Sequence, residues 1–201
     1  ISFKTLTVPT VTTTTATSVT QTSANSGGNV TSAGGGSLTV TGRGVCYATT
    51  TTPTIANSVV ASGTGTGSYI TSLTGLTPGT VYYARAYATN SLGTGYGSQI
   101  TITTPSVPVL TTTTITSITS SGAISGGTIS SSVGSTVTAK GVCYATTQNP
   151  TIANSITSNG TGTSAFTCTI TLLSPSTTYY VRAYATNTSG TGYGNELSFT
   201  T

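Results

Sequence analysis

Catalysis needs groups that exchange protons or act as nucleophiles, and this sequence holds few of them. Its charged side chains are Lys4, Arg43, Arg85, Lys140, Arg182 and the single carboxylate Glu196, with no Asp and no His in 201 residues. One carboxylate cannot form an acid/base pair, and without imidazole no His-based triad assembles, so the chain is read as a non-enzyme. The same shortage removes a calcium cage built from carboxylates and a His or Cys-cluster zinc site, so no metal or cofactor is expected. The three cysteines, Cys46, Cys143 and Cys168, are too few to mark a redox compartment.

Other patterns that resemble functional motifs also have plainer readings. The glycine-rich GTGTG and GTGYG segments at Gly63 and Gly93 carry no following Lys-Ser/Thr and open no helix, so they are not phosphate loops. Asn29, Asn159 and Asn187 each begin an N-glycosylation sequon, a match that arises easily in Thr-rich sequence. The net charge of +4 comes from bases scattered along the chain, so no patch forms that would neutralise several phosphates, and nucleic acid is not an expected partner. No apolar run is long enough for a membrane helix and no signal peptide is visible; direct membrane insertion is not expected.

The elements that must position these residues emerge from self-comparison. Gly44–Ile100 aligns with Gly141–Leu197 without gaps at an offset of 97, with 34 identities in 57 pairs. Upstream the offset becomes 99, pairing Pro9 with Pro108 and Gly27-Gly28 with Gly126-Gly127, so the first copy carries two extra residues near Gly34-Gly35-Gly36. The chain is a tandem duplication, with expected modules at 8–105 and 106–201. Residues 1–7 resemble the strand that closes each copy. They read as the last strand of a preceding module or as a strand donated to another molecule.

Thr (54), Ser (28) and Gly (25) dominate the composition and disfavour helix. Short runs rich in Thr, Val, Ile and Tyr between turn residues predict strands, the clearest at Leu38 to Ala48, Tyr69 to Leu76 and Val81 to Thr89. Their counterparts are Val137 to Ala145, Phe166 to Leu173 and Thr178 to Thr186. About seven strands per copy of roughly 100 residues is the pattern of a two-sheet antiparallel sandwich.

Leu76-Thr77-Pro78-Gly79-Thr80-Val81-Tyr82 leads into an alternating strand that ends Ala88-Thr89-Asn90 and is followed by Gly93-Thr94-Gly95; the second copy repeats this from Leu173 through Asn187, Gly190 and Gly192. On these residues each copy resembles a fibronectin type III domain, most closely those of large bacterial surface and secreted proteins. The implied fold is all-β: two tandem fibronectin type III-like, immunoglobulin-like antiparallel β-sandwiches. The core Trp of the animal domains and any Arg-Gly-Asp loop are missing, so integrin-type recognition is not implied.

If Tyr82 and Tyr179 are the family's corner tyrosines, Ala84, Ala86 and Ala88 face inward. Tyr83, Arg85 and Tyr87 then point outward, as do Tyr180, Arg182 and Tyr184. Val45, Tyr47, Tyr69, Leu73 and Leu76 should fill the first core, and Val142, Tyr144, Phe166, Ile170 and Leu173 the second. The Tyr-Arg-Tyr faces could stack on a sugar, or they could simply be cross-strand pairs or packing surfaces. Cys143 and Cys168 share a copy and invite a disulfide, but alternation turns Cys168 inward with Phe166 and Ile170 and Cys143 the opposite way, against bridge geometry. Lys140 and Glu196 suggest a spontaneous Lys-to-Asn crosslink with a nearby Asn. Arg43 and Gln99 stand at those positions in the first copy, so a local ion pair is the expectation.

The short connector around Pro105 and Pro108 restricts the backbone, which predicts a semi-rigid rod. Sheet edges lack the usual charged guards, and trypsin-like proteases would find only five basic sites. These features suit an extracellular, secreted or cell-surface structural or adhesive repeat whose partners are further copies of itself, assembled as a filament or surface layer. The alternatives are a module whose Tyr-Arg-Tyr faces bind polysaccharide or a host or cell surface, and a passive spacer attached to an enzyme.

Overall fold

The computed structural model describes residues 5–201. The chain divides into two units, the first ending at Thr104 and the second running Pro105–Thr201. The expected strand at residues 1–7 falls partly outside the described residues. Within it, Thr5, Leu6 and Thr7 are not in a strand. Thr7 is held on the first unit: its amide donates to the Gly34 carbonyl at 3.0 Å, and its carbonyl accepts from the Asn90 side chain at 2.8 Å.

The first unit has eight strands: β1 (Thr10–Thr17), β2 (Ser23–Ser32), β3 (Gly42–Ala48), β4 (Ser58–Ala61), β5 (Gly67–Thr74), β6 (Val81–Asn90), β7 (Gly93–Tyr96) and β8 (Ile100–Thr103). One sheet has the order β1-β2-β5. The other has β4-β3-β6, with β7 and β8 both paired to the far side of β6. All pairings are antiparallel. The second unit repeats the plan with β9 (Val109–Thr116), β10 (Ala123–Ser131), β11 (Ala139–Ala145), β12 (Ser155–Ile156), β13 (Phe166–Ile170), β14 (Thr178–Asn187), β15 (Gly190–Tyr193) and β16 (Leu197–Thr200). Each unit is therefore an all-β, two-sheet antiparallel sandwich. The eighth strand arises because the last edge element is broken in two: β6 pairs β7 from Tyr87 to Asn90 and β8 from Val81 to Ala84, leaving Arg85 and Ala86 between them.

Alternation along the strands decides what is buried. Ala84, Ala86 and Ala88 are each 0% exposed and pack with Val11, Ala24, Val30, Val45, Tyr69, Leu73 and Ile102 from both sheets. The second core is built likewise on Val142, Phe166, Ile170, Val181, Ala183, Ala185 and Phe199, with Tyr144 and Tyr179 at its margin. Three small alanines along β6 bring the sheets close, so the few large side chains must fill the remaining space. Truncating Leu73 or Ile170, both fully buried, should cost about 2–5 kcal/mol.

The corner tyrosines stand where the resemblance places them. The Tyr82 hydroxyl accepts the Thr77 amide at 3.0 Å and the Tyr179 hydroxyl accepts the Ser174 amide at 3.1 Å. Their rings meet Tyr47 and Tyr144 edge-on.

Two strand ends differ from the sequence reading for a backbone reason. β5 stops at Thr74 rather than Leu76 because Gly75 turns the chain into the left-handed region at φ 70°. β13 stops at Ile170, two residues before Leu172 at φ 62°. The strands expected from Leu38 and Val137 begin only at Gly42 and Ala139. The preceding Val40 and Val137 carbonyls accept instead from Gly65 and Gly162 of the glycine-rich loops.

Candidate functional site

The outward face of β6 carries Tyr83, Arg85 and Tyr87. Pairing with β3 sets Ala48, Cys46 and Gly44 directly beside them. Across an antiparallel pair, partners share a face, so Cys46 and Gly44 belong to this outer surface and not to the core. Both are nevertheless buried, and Tyr87 is only 7% exposed. The surface is thus not an open Tyr-Arg-Tyr face. Of its members, Tyr83 and Arg85 are half-buried. The second unit is alike: Tyr184 is 4% exposed, while Tyr180 and Arg182 are half-buried.

Two features close the face. The first is glycine opposite tyrosine. A side chain at Gly44 would come within 2.9 Å of the Tyr87 ring, and one at Gly141 equally close to the Tyr184 ring. The missing Cβ therefore makes room for the ring over its neighbour strand, and Tyr184 donates to the Thr157 carbonyl at 3.1 Å.

The second feature is the segment between β3 and β4, residues 49–57, which folds back across the face. Its Pro53 is buried, and the Pro53 carbonyl accepts the Cys46 thiol at 3.5 Å. The turn closes on itself when the Asn57 side chain accepts the Thr54 amide at 2.9 Å. It is fastened to the neighbouring strands at two points: the Ile55 amide donates to the Tyr96 hydroxyl at 3.2 Å, and the Thr52 amide to the Gln99 side chain. In the second unit Pro150, Asn154, Tyr193 and Glu196 take the same places; the Ile152 amide donates to Tyr193 at 3.2 Å and the Asn149 amide to the Glu196 carboxylate. The repeated PTIANS motif is thus a structural cover over the strand face.

Arg85 has a structural task as well. Its Nε donates to the Gly97 carbonyl at 2.9 Å, Gly97 donates to the Ala86 carbonyl at 2.9 Å, and the Ala86 amide finds the Thr13 hydroxyl at 3.0 Å. These three bonds bridge the gap between β7 and β8, satisfying backbone groups that the broken edge would leave unpaired. Arg182, Gly194, Ala183 and Thr112 repeat the arrangement at 3.0, 2.9 and 2.9 Å. The glycines of GTGYG fit this crossing: a side chain at Gly97 would lie 2.4 Å from the Thr13 hydroxyl, and one at Gly95 would run into the Pro9 carbonyl.

The cysteines are free, and all three are buried. Cys168 joins the second core, whereas Cys143 lies under the covering segment on the opposite face, donating to the Pro150 carbonyl at 3.3 Å. The candidate Cys143–Cys168 disulfide is therefore not formed, because alternation sends the two thiols to opposite faces of their sheets. Burial pushes the Cys143 thiol up to about 11 against the lowering field of Arg182, and pushes Cys46 up as well. A thiol kept neutral is a poor nucleophile.

The expected Lys140–Glu196 ion pair is also absent. Lys140 pairs with Ala185, on the core side, and is 2% exposed. Its ammonium donates to the Ser164 carbonyl at 2.8 Å and hydroxyl at 3.0 Å, and lies 5.4 Å from the Phe166 ring centre. Glu196 instead caps the covering segment. Arg43 plays the equivalent part in the first unit, donating to the Gly65, Thr66 and Gly67 carbonyls and lying 5.0 Å over Tyr69. Among the described residues no group of three His, Cys, Asp or Glu side chains could hold a metal ion.

No family model matches the chain, and no curated protein does. Among solved structures the chain is similar to the crystal structure of the FN1–FN3 domains of chicken CNTN1, at 14% identity and a TM-score of 0.41, over 96% of this chain and 67% of that one.

Proposed function

We propose that the two units are structural repeats of a long extracellular bacterial surface protein, acting through shape and through contacts with further copies rather than through a reactive or ligand-binding group. One observation carries this reading: Arg43, Arg85, Lys140 and Arg182 each donate to backbone carbonyls of their own unit. Among the described residues the basic side chains that would grip a ligand are thus spent on holding the fold. In both copies a covering segment spans the strand that carries the Tyr-Arg-Tyr residues, fastened to Cys46, Tyr96 and Gln99 or to Cys143, Tyr193 and Glu196.

The remaining surface supports the same role. The edge strand β5 carries neither charge nor proline along its eight residues, and such an edge is open to pairing with another chain. The outer face of its sheet presents Thr12, Thr14, Asn25, Asn29, Ser68, Ile70 and Ser72, a neutral surface of hydroxyl, amide and methyl groups. Ile70 is 76% exposed there. Neutral edges and faces suit a protein that lives in contact with its own kind.

The test is negative-stain microscopy of native material labelled with an antibody raised against these two units. Regular fibres or a surface layer decorated at a constant repeat are expected. Label found only on discrete soluble particles would count against the structural role.

A further inference from the structure

The two copies differ in the strip that enters the glycine-rich loop. Ser62 and Gly63 stand there in the first unit and Asn159 and Gly160 in the second, and Asn159-Gly160 is the one Asn-Gly pair in the chain. Both units bracket this pair in the same way. The Asn159 amide donates to the Lys140 carbonyl at 2.7 Å and the Lys140 amide to the Gly160 carbonyl at 3.0 Å; Ser62 and Gly63 bond Arg43 likewise, at 2.7 and 2.9 Å. The bracket leaves out the amide between them. Among the described residues no backbone acceptor outside the strands receives the Gly160 N–H.

That nitrogen follows directly on a carboxamide that it can attack. Asn159 and Gly160 are both exposed, and a side chain at Gly160 would meet nothing within 4 Å, so the space around the pair is open. One exposed bond holds the Asn159 carboxamide, from Nδ2 to the Thr167 carbonyl at 2.8 Å. Such a bond opens locally without unfolding the unit. A Cβ on the following residue would obstruct the approach to the side-chain carbon, and glycine has none. Asn57 and Asn154 are exposed as well, but each precedes a serine and accepts a backbone amide through its carboxamide oxygen, from Thr54 and Thr151.

We infer that Asn159 is a site of spontaneous covalent modification, converted to isoaspartate through a cyclic imide with Gly160. The Gly160 nitrogen gives up its proton and bonds to Cγ of Asn159, the Cγ–Nδ2 bond breaks, and the departing nitrogen takes up a proton and leaves as ammonia. Water then opens the ring. Attack at the main-chain carbonyl of residue 159 gives isoaspartate, and attack at Cγ gives aspartate. One water is consumed and one ammonia released, with no change of oxidation state.

Either product undoes what Asn159 holds. Neither keeps the N–H that the Thr167 carbonyl accepts, and isoaspartate adds a methylene to the main chain inside the bracket on Lys140. The ammonium of Lys140 ties the same loop at Ser164, so the loop loses one of its fastenings and gains a negative charge. With Ser62 at the matching place, the first unit is exempt. The change accumulates with time and marks the second copy alone.

The test is peptide mapping by mass spectrometry of the folded chain, fresh and after weeks at physiological temperature, beside Asn159→Ser, which restores the first copy's residue. Expected is a gain of one mass unit at Asn159 that grows with time, with isoaspartate in excess of aspartate, and no gain in the loop of Asn159→Ser. Hydrogen exchange at the Lys140 amide should be faster in the aged wild type than in the fresh protein, and unchanged by ageing in Asn159→Ser. Asn159 also begins a glycosylation sequon, and a glycan found there in native material would overturn the assignment. So would an aged chain with no isoaspartate at Asn159, or with an equal gain at Asn57 and Asn154. Unchanged exchange at Lys140 in modified protein would overturn the loosening of the loop.

Discussion

The guanidinium of Arg85 lies 4.7 Å over the ring of Tyr96, and the second unit repeats the pair as Arg182 over Tyr193 at 4.8 Å. Each tyrosine faces two ways, since its ring receives the cation while its hydroxyl accepts an amide of the covering segment. A strand break, an arginine and a loop are in this way fastened at one point.

If Arg85 is a fastening rather than a free binding group, Arg85→Ala should destabilise the first unit by about 2 kcal/mol, through the lost carbonyl bond and ring contact. Tyr96→Phe, which removes only the hydroxyl that accepts the Ile55 amide, should cost about 1 kcal/mol. Urea unfolding of the variants checks both. An Arg85→Ala change within the roughly 0.5 kcal/mol typical of plain surface positions would contradict the fastening.

The covering segment passes through a left-handed residue in each unit, Thr52 at φ 55° and Asn149 at φ 57°. Asn tolerates this conformation and a β-branched residue does not, so Thr52→Asn should stabilise the first unit by roughly 1 kcal/mol. The reverse change, Asn149→Thr, should destabilise the second unit to a similar extent. Chemical denaturation of the two variants measures both shifts.

Strand alternation carried the sequence reading a long way. Anchored on the corner tyrosines that the resemblance implies, it places Ala84, Ala86 and Ala88 in the core, with Val45 and Leu73 opposite them, and it sets Cys143 and Cys168 on opposite faces. Alternation reports only the direction of a side chain, however, and cannot say whether another layer lies above it. Tyr87 and Tyr184 do point away from the core, yet they are buried because glycine stands beside them and a loop crosses over them. The signal was present in the exact recurrence of Gly44, Pro53 and Asn57 as Gly141, Pro150 and Asn154, which marks a conformation more readily than a contact surface. Tyr96 and Tyr193, over whose rings the arginines lie, carry no such signal, because they sit in a glycine-rich segment that reads as a loop. Opposite charge alone points Lys140 to Glu196, whereas its register opposite Ala185 turns it to the core side.

The thiols should be inert in the folded protein and reactive after unfolding. A thiol reagent is expected to modify none of Cys46, Cys143 and Cys168 in the native state and all three in denaturant. The same burial makes stability fall with alkali. The ordinary Cys value is 9.0 and the folded Cys143 value about 11, so the unfolded chain loses this proton first. Its contribution is complete below 9.0 and disappears as pH rises to about 11. Unfolding measured across that interval should show a decline in the second unit that Cys143→Ala reduces.

Asn187 begins a glycosylation sequon but is only 5% exposed, and its side-chain amide donates to the Ser106 carbonyl at 2.7 Å. It should remain unmodified in a glycosylating host, as mass spectrometry can show. Asn187→Asp, which points an anion at that carbonyl, should destabilise the second unit by about 2–3 kcal/mol.

The closed outer face is tested most directly through the Nε–H signals of Arg85 and Arg182 in ¹⁵N-labelled protein, recorded with and without oligosaccharide fragments. Slow exchange with water and no movement on adding glycan are the expected results. Rapidly exchanging arginines, or saturable shifts of both signals with glycan, would show an open binding face and contradict the structural role.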